Sequence, residues 1–353
     1  MSLDSKPISS DKKPLYEAST QFINWRYSVE QLARIRASLN EAAVSAIRHT
    51  FESDEPGSSS NVLFLNSVEE QLLVKLYITK ITQLCALFRF PEEVEATAVT
   101  YLKRFYLKNT VMDWHPKNVM LTALFLATKT TNNPISLETY TTHIPKTVAS
   151  DILDLEFLVA QSLGFEFAVW HAHRALWGIW LDIQNLPDNS SSVSPDIYDS
   201  ALKHVRASRL TDAELIYTPS QIAFAAMALA APELASAWSH LKIAPKDSEL
   251  LFPSFQDLTD AIKALIISDG QPPNIESVRE VDRRLRLCKN PEKVPGTKAY
   301  LAKKAEEEKK AEGRRNKKAA ISQQAMTDGD PFGNDLSKAQ SALVDYDDDD
   351  DDD

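Results

Sequence analysis

Two stretches of this 353-residue chain, WHPKNVMLTALFLATK at 114–129 and YTPSQIAFAAMALAA at 217–231, are apolar on nearly every side of a helix. A helix without a polar face cannot lie on a surface, so each must sit at the centre of a bundle with other helices around it. Both begin in the same way, with an aromatic, a capping residue and a proline: Trp114-His115-Pro116 and Tyr217-Thr218-Pro219. In the second, Gln221 completes a capping box. Arg104 lies twelve residues before Pro116, and Arg206 thirteen before Pro219. That spacing predicts an all-α chain of two structural repeats of ~100 residues each.

Around the first central helix, Leu73, Tyr77, Ile81, Leu84 and Phe88 recur at helical spacing, and Pro91 opens a helix that carries AVTYLKRFYL. ISLETYTTHI and KTVASDILDLEFLVAQSLGF complete a set of five, with Gly164 as the stop. In the second set WHAHRALWGIWLDI precedes a Ser-rich loop, PDNSSSVSP; DIYDSALKHVRASRL leads into the central helix, and SFQDLTDAIKALIIS closes. Ser28 and Gln31 form a capping box ahead of a helix that puts Leu32, Ile35, Leu39, Ala43 and Ala46 on one face. ESDEPGSSSN then reads as a flexible linker. Beyond Ser268 come the linker DGQPPN, the amphipathic IESVREVDRRLRLCKN, and KKAEEEKKAEGRRNKKAA, which has no core-forming stripe. The expected organisation is a disordered N-terminus (1–24), an N-terminal helix and linker (25–61), two five-helix repeats (62–168 and 169–268), a C-terminal helical extension (269–320) and a disordered acidic tail (321–353).

Of a formal net charge of −11, eight negatives are aspartates at 345 and 347–353, so the rest of the chain carries only −3. Such a body has no field to draw in a nucleic-acid backbone, which argues against DNA or RNA as a direct ligand. The Asp run reads as a solubilising tail or as a contact for a basic partner; the Lys/Arg-rich segment before it reads as a nuclear localisation patch or as a solvated helix. The N-terminus has no apolar signal region and no uninterrupted apolar stretch approaches ~18 residues, so a soluble intracellular chain without a membrane role is expected. The eight glycines form no phosphate-binding cradle, no Ser or Cys stands in a nucleophile elbow, and neither Cys85 nor Cys288 belongs to a CxxC pair. His171 and His173 lack companion ligands and are expected at the surface or at a helix cap. No catalytic residue, metal, cofactor or small-molecule ligand is expected.

One pair of residues stands out from the bundle pattern. Lys129 ends the first central helix, where a lysine commonly caps the last carbonyls. On the fifth helix Glu156 falls near the sector of Ile152, Val159 and Leu163, where a carboxylate is costly unless paired. Periodicity leaves open whether Glu156 reaches solvent or shares a surface with Lys129.

The tandem five-helix sets, with YLKRFYL on the second helix, LFLATK on the third and ILDLEFLVAQSLGFEF on the fifth, resemble the cyclins. VEQLARIRA, YLKRFYLKNTVMDWHP and LTDAELIYTPSQIA are similar to stretches of the cyclin H subfamily, and the likeness extends over about residues 25–288. It implies two tandem cyclin boxes and a regulatory subunit, not an enzyme, that turns the C-helix of a cyclin-dependent kinase into its active position. By the same resemblance Lys129 and Glu156 bind the kinase, and Ala160, Phe165 and Phe167 line the apolar part of that contact. The implied partners are the kinase of the CDK-activating complex, a RING-finger assembly factor and core TFIIH, in the nucleus. The implied substrates of the assembly are the RNA polymerase II C-terminal repeats and kinase activation loops. Two departures from cell-cycle cyclins are visible: VEEQLLVK stands where they carry a substrate-docking motif, and Lys103 replaces an Asp, leaving a reversed pair with Glu69 or Glu70 open. A competing reading, a TFIIB-type factor that binds promoter DNA through the same double fold, wants a zinc ribbon and a basic repeat surface. A third, a helical adaptor without a kinase, would be separated by what co-purifies.

Overall fold

The structure, a computed structural model, describes residues 14–185, 194–242 and 252–327; the acidic tail beyond Thr327 and most of the Ser-rich loop lie outside these. Among the described residues every regular element is a helix. In order they are α1 (Thr20–Asn24), α2 (Val29–Asp54), α3 (Ser67–Phe88), α4 (Glu92–Phe105), α5 (Pro116–Thr130), α6 (Leu137–Thr142), α7 (Ser150–Ser162), α8 (Ala172–Gln184), α9 (Pro195–Ser208), α10 (Ala213–Ile216), α11 (Pro219–Ala230), α12 (Pro232–Lys242), α13 (Phe252–Asp269), α14 (Ile275–Leu285) and α15 (Lys298–Thr327). A short 3-10 turn, Pro291–Lys293, precedes the last.

The two all-apolar segments are the central helices. In α5, residues 119–128 are buried, with α3, α4 and α7 packed around it. In α11, Ile222, Ala223, Phe224, Ala225, Ala226 and Met227 are buried beneath α8, α9, α12 and α13. Both starts are capped by the residues the pattern singles out. His115 Nδ1 accepts from the Lys117 amide at 3.1 Å. Thr218 Oγ1 accepts from the Gln221 amide at 3.3 Å while Gln221 Oε1 accepts from the Thr218 amide at 2.9 Å. Thr218→Ala removes half of that box and is expected to cost about 1 kcal/mol, read as a lower denaturant midpoint at unchanged slope.

α12 lies in a segment for which no helix is expected; Leu234, Ala235 and Trp238 pack it onto the second core. Within the stretch expected to be disordered, Ser19 caps α1, and Gln21 exchanges hydrogen bonds with the Trp170 backbone: its Nε2 donates to the carbonyl at 3.2 Å and its Oε1 accepts from the amide at 2.7 Å. A backbone partner 149 residues away orders this segment. The expected flexible linker is likewise a closed turn, because the Glu52 carboxylate accepts from the Gly57 amide at 2.6 Å and the Ser59 amide at 3.1 Å. α15 runs to Thr327, past the point where disorder is expected.

The C-terminal extension divides in two. α14 packs on α3 and inserts Val278, Val281 and Leu285 into the first core, with Arg284 paired to Glu69. From Pro291 onward the chain forms a separate unit, in which Lys303 pairs with Glu292 at 2.8 Å. By length and composition α3 is apolar enough to cross a bilayer; it lies against α4, α5 and α14, with Leu73, Val74, Ile78 and Ile81 buried.

The junction of the repeats is polar. At the start of α4, Glu92 accepts from Arg206 and Arg209, each at 2.6 Å, and Glu95 accepts from Arg209 at 3.1 Å. Burial alone would raise the Glu92 pKa, but the hydrogen bonds and charges of Arg206 and Arg209 outweigh it and hold the carboxyl at about 2. Lys103 pairs with Glu214 at 3.1 Å and donates to the Thr211 carbonyl at 2.6 Å. The reversed pair with Glu69 or Glu70 therefore does not form: Glu69 is taken by Arg284, and Glu70 accepts from Asn40 and the Val111 amide. His171 is also not at the surface. It is 7% exposed, stacks on His173 at 5.2 Å and meets Thr97 Oγ1 at 2.9 Å. It stands at the N-cap position of α8, as a helix entry predicts, but packing across the repeat junction, invisible to local pattern, buries it.

Candidate functional site

The side chains that the sequence singles out meet on one face of the first repeat, where the last turn of α5 crosses α7. Lys129 Nζ is bonded to Glu156 Oε1 and sits 4.5 Å from the Phe125 ring centroid. Both charges keep solvent contact, with Lys129 42% and Glu156 25% exposed in their side chains. The pair is thus a surface ion pair at the rim of an apolar patch, and contributes little to folding.

α7 ends in a turn that sets up the patch. Gly164 takes φ of 61° and its amide donates to Gln161 O at 2.8 Å, while the Phe165 amide donates to Ala160 O at 2.9 Å. These two bonds make a Schellman motif, for which glycine at the left-handed position is the usual solution. Phe165 then takes φ of 58° as well, a region that bulky residues avoid. Its ring ends 55% exposed, 6.1 Å from Phe157 and 6.3 Å from Phe167. Phe167 is fixed from below: its carbonyl accepts from Tyr101 Oη at 2.7 Å and its ring packs 6.1 Å from Tyr101. Ala160 is 8% exposed and forms the floor.

Two residues on this face escape the resemblance. Phe157 and Leu153, one helical turn apart on α7, are 69% and 47% exposed. Their signal was present as two large apolar residues off the buried stripe of Ile152 and Val159, the position of a helix with a second partner.

Among the described residues no cluster of His, Cys, Asp and Glu could hold a metal, and both cysteines are buried, which pushes their thiol pKa values up. A groove of about 430 Å³ between α2, α3 and the Thr211–Asp212 turn includes Val68 and Lys75 of VEEQLLVK. Its charged groups are engaged internally: Arg36 with Asp212 at 2.6 Å, and Lys75 with the Asp269 carbonyl at 2.5 Å.

Comparison with known proteins identifies this architecture. Residues 51–168 match the cyclin N-terminal domain and residues 171–267 the cyclin C-terminal domain. The chain is 30% identical to Cyclin mcs2 of Schizosaccharomyces pombe over 332 residues, which is 92% of this chain and 100% of that one. It is 32% identical to a putative cyclin-H of Dictyostelium discoideum over 221 residues, covering 61% and 75%. A chain in a structure of the CAK complex from Chaetomium thermophilum bound to ATP-gamma-S overlays with a TM-score of 0.72 at 26% identity, covering 83% of this chain and 94% of that one. With the double helical repeat, the chain belongs to the cyclin family, in its cyclin H branch.

Proposed function

We propose that the chain is the regulatory subunit of a CDK-activating kinase, binding and activating a cyclin-dependent kinase without catalysing phosphoryl transfer itself. The observation that carries this is the exposed patch of Leu153, Phe157 and Phe165, rimmed by the Lys129–Glu156 pair, on the first repeat. Contiguous exposed apolar surface with a polar rim is what a protein partner covers. Overlay on a chain of a CAK complex supplies the partner class. Lys129, Glu156, Ala160, Phe165 and Phe167 are assigned to the kinase contact, where a kinase C-helix seated on the rings would be held by the charged pair.

Further assignments rest on the resemblance to the cyclin H branch: a RING-finger assembly factor, association with core TFIIH, a nuclear location, and action on RNA polymerase II C-terminal repeats and kinase activation loops. The domain division at about residue 169 belongs to the same reading. Nothing favours the TFIIB-type alternative, since Cys85 and Cys288 are separate and buried.

Reconstitution tests the proposal. Kinase purified alone is expected to phosphorylate a C-terminal-repeat peptide weakly, and at least about 100-fold faster with this chain added, in keeping with assembly of the kinase ion pair. The chain alone turns over no ATP. Unchanged kinase activity on addition of the chain, or phosphotransfer by the pure chain, refutes it.

A further inference from the structure

Phe165 keeps its left-handed backbone just past the end of α7, and α8 begins only at Ala172, so no helix holds the turn between them. A bulky residue stays in such a conformation only where its surroundings over-determine it. Here the restraint comes from the start of the chain. The Glu166 carboxylate accepts from Asn24 Nδ2 at 2.6 Å and from the Trp25 indole Nε1 at 2.5 Å, partners 142 and 141 residues away. The Glu166 carbonyl accepts from Arg104 at 3.3 Å. The residue between the two rings of the patch is therefore tied by its side chain to the segment ahead of α2 and by its backbone to α4.

Trp25 is itself immobile. It is 3% exposed and packs with Leu32, Leu107 and Leu215, which belong to α2, the first repeat and the second. The Arg104 guanidinium lies 4.8 Å from its ring centroid, so the cation that holds the Glu166 backbone also holds the indole that holds its side chain. The one polar atom of the indole donates to a carboxylate, a stronger bond than one to a neutral acceptor. Buried as it is, Trp25 cannot touch a partner; whatever it does for binding passes through Glu166. We propose that Trp25 and Asn24 are positioning residues for the kinase contact: by holding the Glu166 carboxylate they keep the turn at 164–167 in the form that presents Phe165 and Phe167. The proposal rests on the assignment of that patch to the kinase. A chain whose turn is released binds with an affinity reduced by the fraction of time the turn is in place.

Affinity of the full chain for purified kinase tests this in Trp25→Phe, which keeps an apolar ring but has no indole donor, and in Asn24→Ala, where the side chain is exposed and its loss leaves the fold intact. Trp25→Phe is expected to bind at least about tenfold more weakly than wild type, and Asn24→Ala at least about threefold. In a Phe165→Gly background, where glycine takes the turn without strain and the ring is gone, either change should add less than about twofold. In the free Trp25→Phe chain the Phe165 and Glu166 amides should exchange with deuterium faster than in wild type, by a factor at least about fivefold larger than any change at the Leu124 amide of α5, which reports the bundle itself. Equal losses in the two backgrounds, or exchange at the turn that only tracks Leu124, would make Trp25 a packing residue and overturn the proposal. Wild-type binding by both single variants beside weak binding by Phe165→Gly also overturns it, and leaves the kinase contact standing. Wild-type binding by Phe165→Gly sinks the contact on which the proposal rests, and the proposal with it.

Discussion

Arg209→Ala is expected to lower the free energy of unfolding by roughly 3 to 5 kcal/mol, the range found when one partner of a buried ion pair is removed. The Arg209 side chain is 7% exposed and lies between Glu92 and Glu95, whose side chains are 21% and 12% exposed. Truncation leaves Glu95 without this cation and Glu92 with Arg206 alone. Arg209→Lys keeps the charge but cannot donate to both carboxylates as a planar fork, so it should recover only part of the loss. Denaturant melts of the three proteins decide it; an Arg209→Ala chain within 1 kcal/mol of wild type would show that the second repeat is held by its apolar contacts alone.

The same junction sets the acid limit of the fold. Burial first, then the charge of His173 and of Arg209, pushes His171 well below 6.5; burial and Arg209 take His173 to about 4. Both rings stay neutral in the folded chain while unfolded histidines protonate, so stability falls as pH drops from about 6.5 toward 4. Glu92 works from the other side. Its folded value of about 2 lies below that of an unfolded glutamate, so its contribution is complete above about pH 4.5 and is lost between there and 2. In Arg209→Ala the loss of that cation should raise both histidine pKa values toward the unfolded one, which makes the first phase of acid destabilisation smaller and ends it at higher pH, even as total stability drops.

The sequence carries central helices, caps and repeat spacing plainly because these are local signals. Pro116 and Pro219 with their capping residues, and an apolar run with no polar face, admit one solution each. Junction contacts are not local: Lys103 finds Glu214, and Arg209 finds Glu92 and Glu95, across more than a hundred residues. Periodicity places each side chain on a face but cannot name what the face meets. That is why Lys103 has a different partner from the one the sequence leaves open, and why His171, expected at the surface or at a helix cap, stands at the N-cap of α8 but is buried. The candidate surface was legible as two charges, Lys129 and Glu156, with three neighbours named by resemblance. Phe157 and Leu153 were legible only as apolar residues on the wrong side of an amphipathic helix.

Glu156→Ala is expected to weaken kinase binding by roughly 2 to 5 kcal/mol, because truncating one side of a charged contact that the partner desolvates strands the other charge. In the free chain the same pair is half in solvent, and its loss should change folding stability by less than about 1 kcal/mol. The two readouts therefore separate a binding role from a structural one. Lys129→Ala should behave alike, and the double variant should lose less than the sum of the singles, since the two residues act as one unit. Phe165 gives a sharper separation because its two effects have opposite signs. Phe165→Gly relieves a left-handed backbone at φ of 58° and is expected to stabilise the fold by about 1 kcal/mol, provided the lost ring contacts with Phe157 and Phe167 are small. Yet it removes an aromatic anchor from the centre of the patch, where losses of about 2 kcal/mol or more are usual. A Phe165→Gly chain that melts no lower than wild type and binds kinase at least about thirtyfold more weakly would mean that the strained turn holds the ring out for the partner. Wild-type binding by Glu156→Ala and Phe165→Gly alike would move the kinase contact off this face.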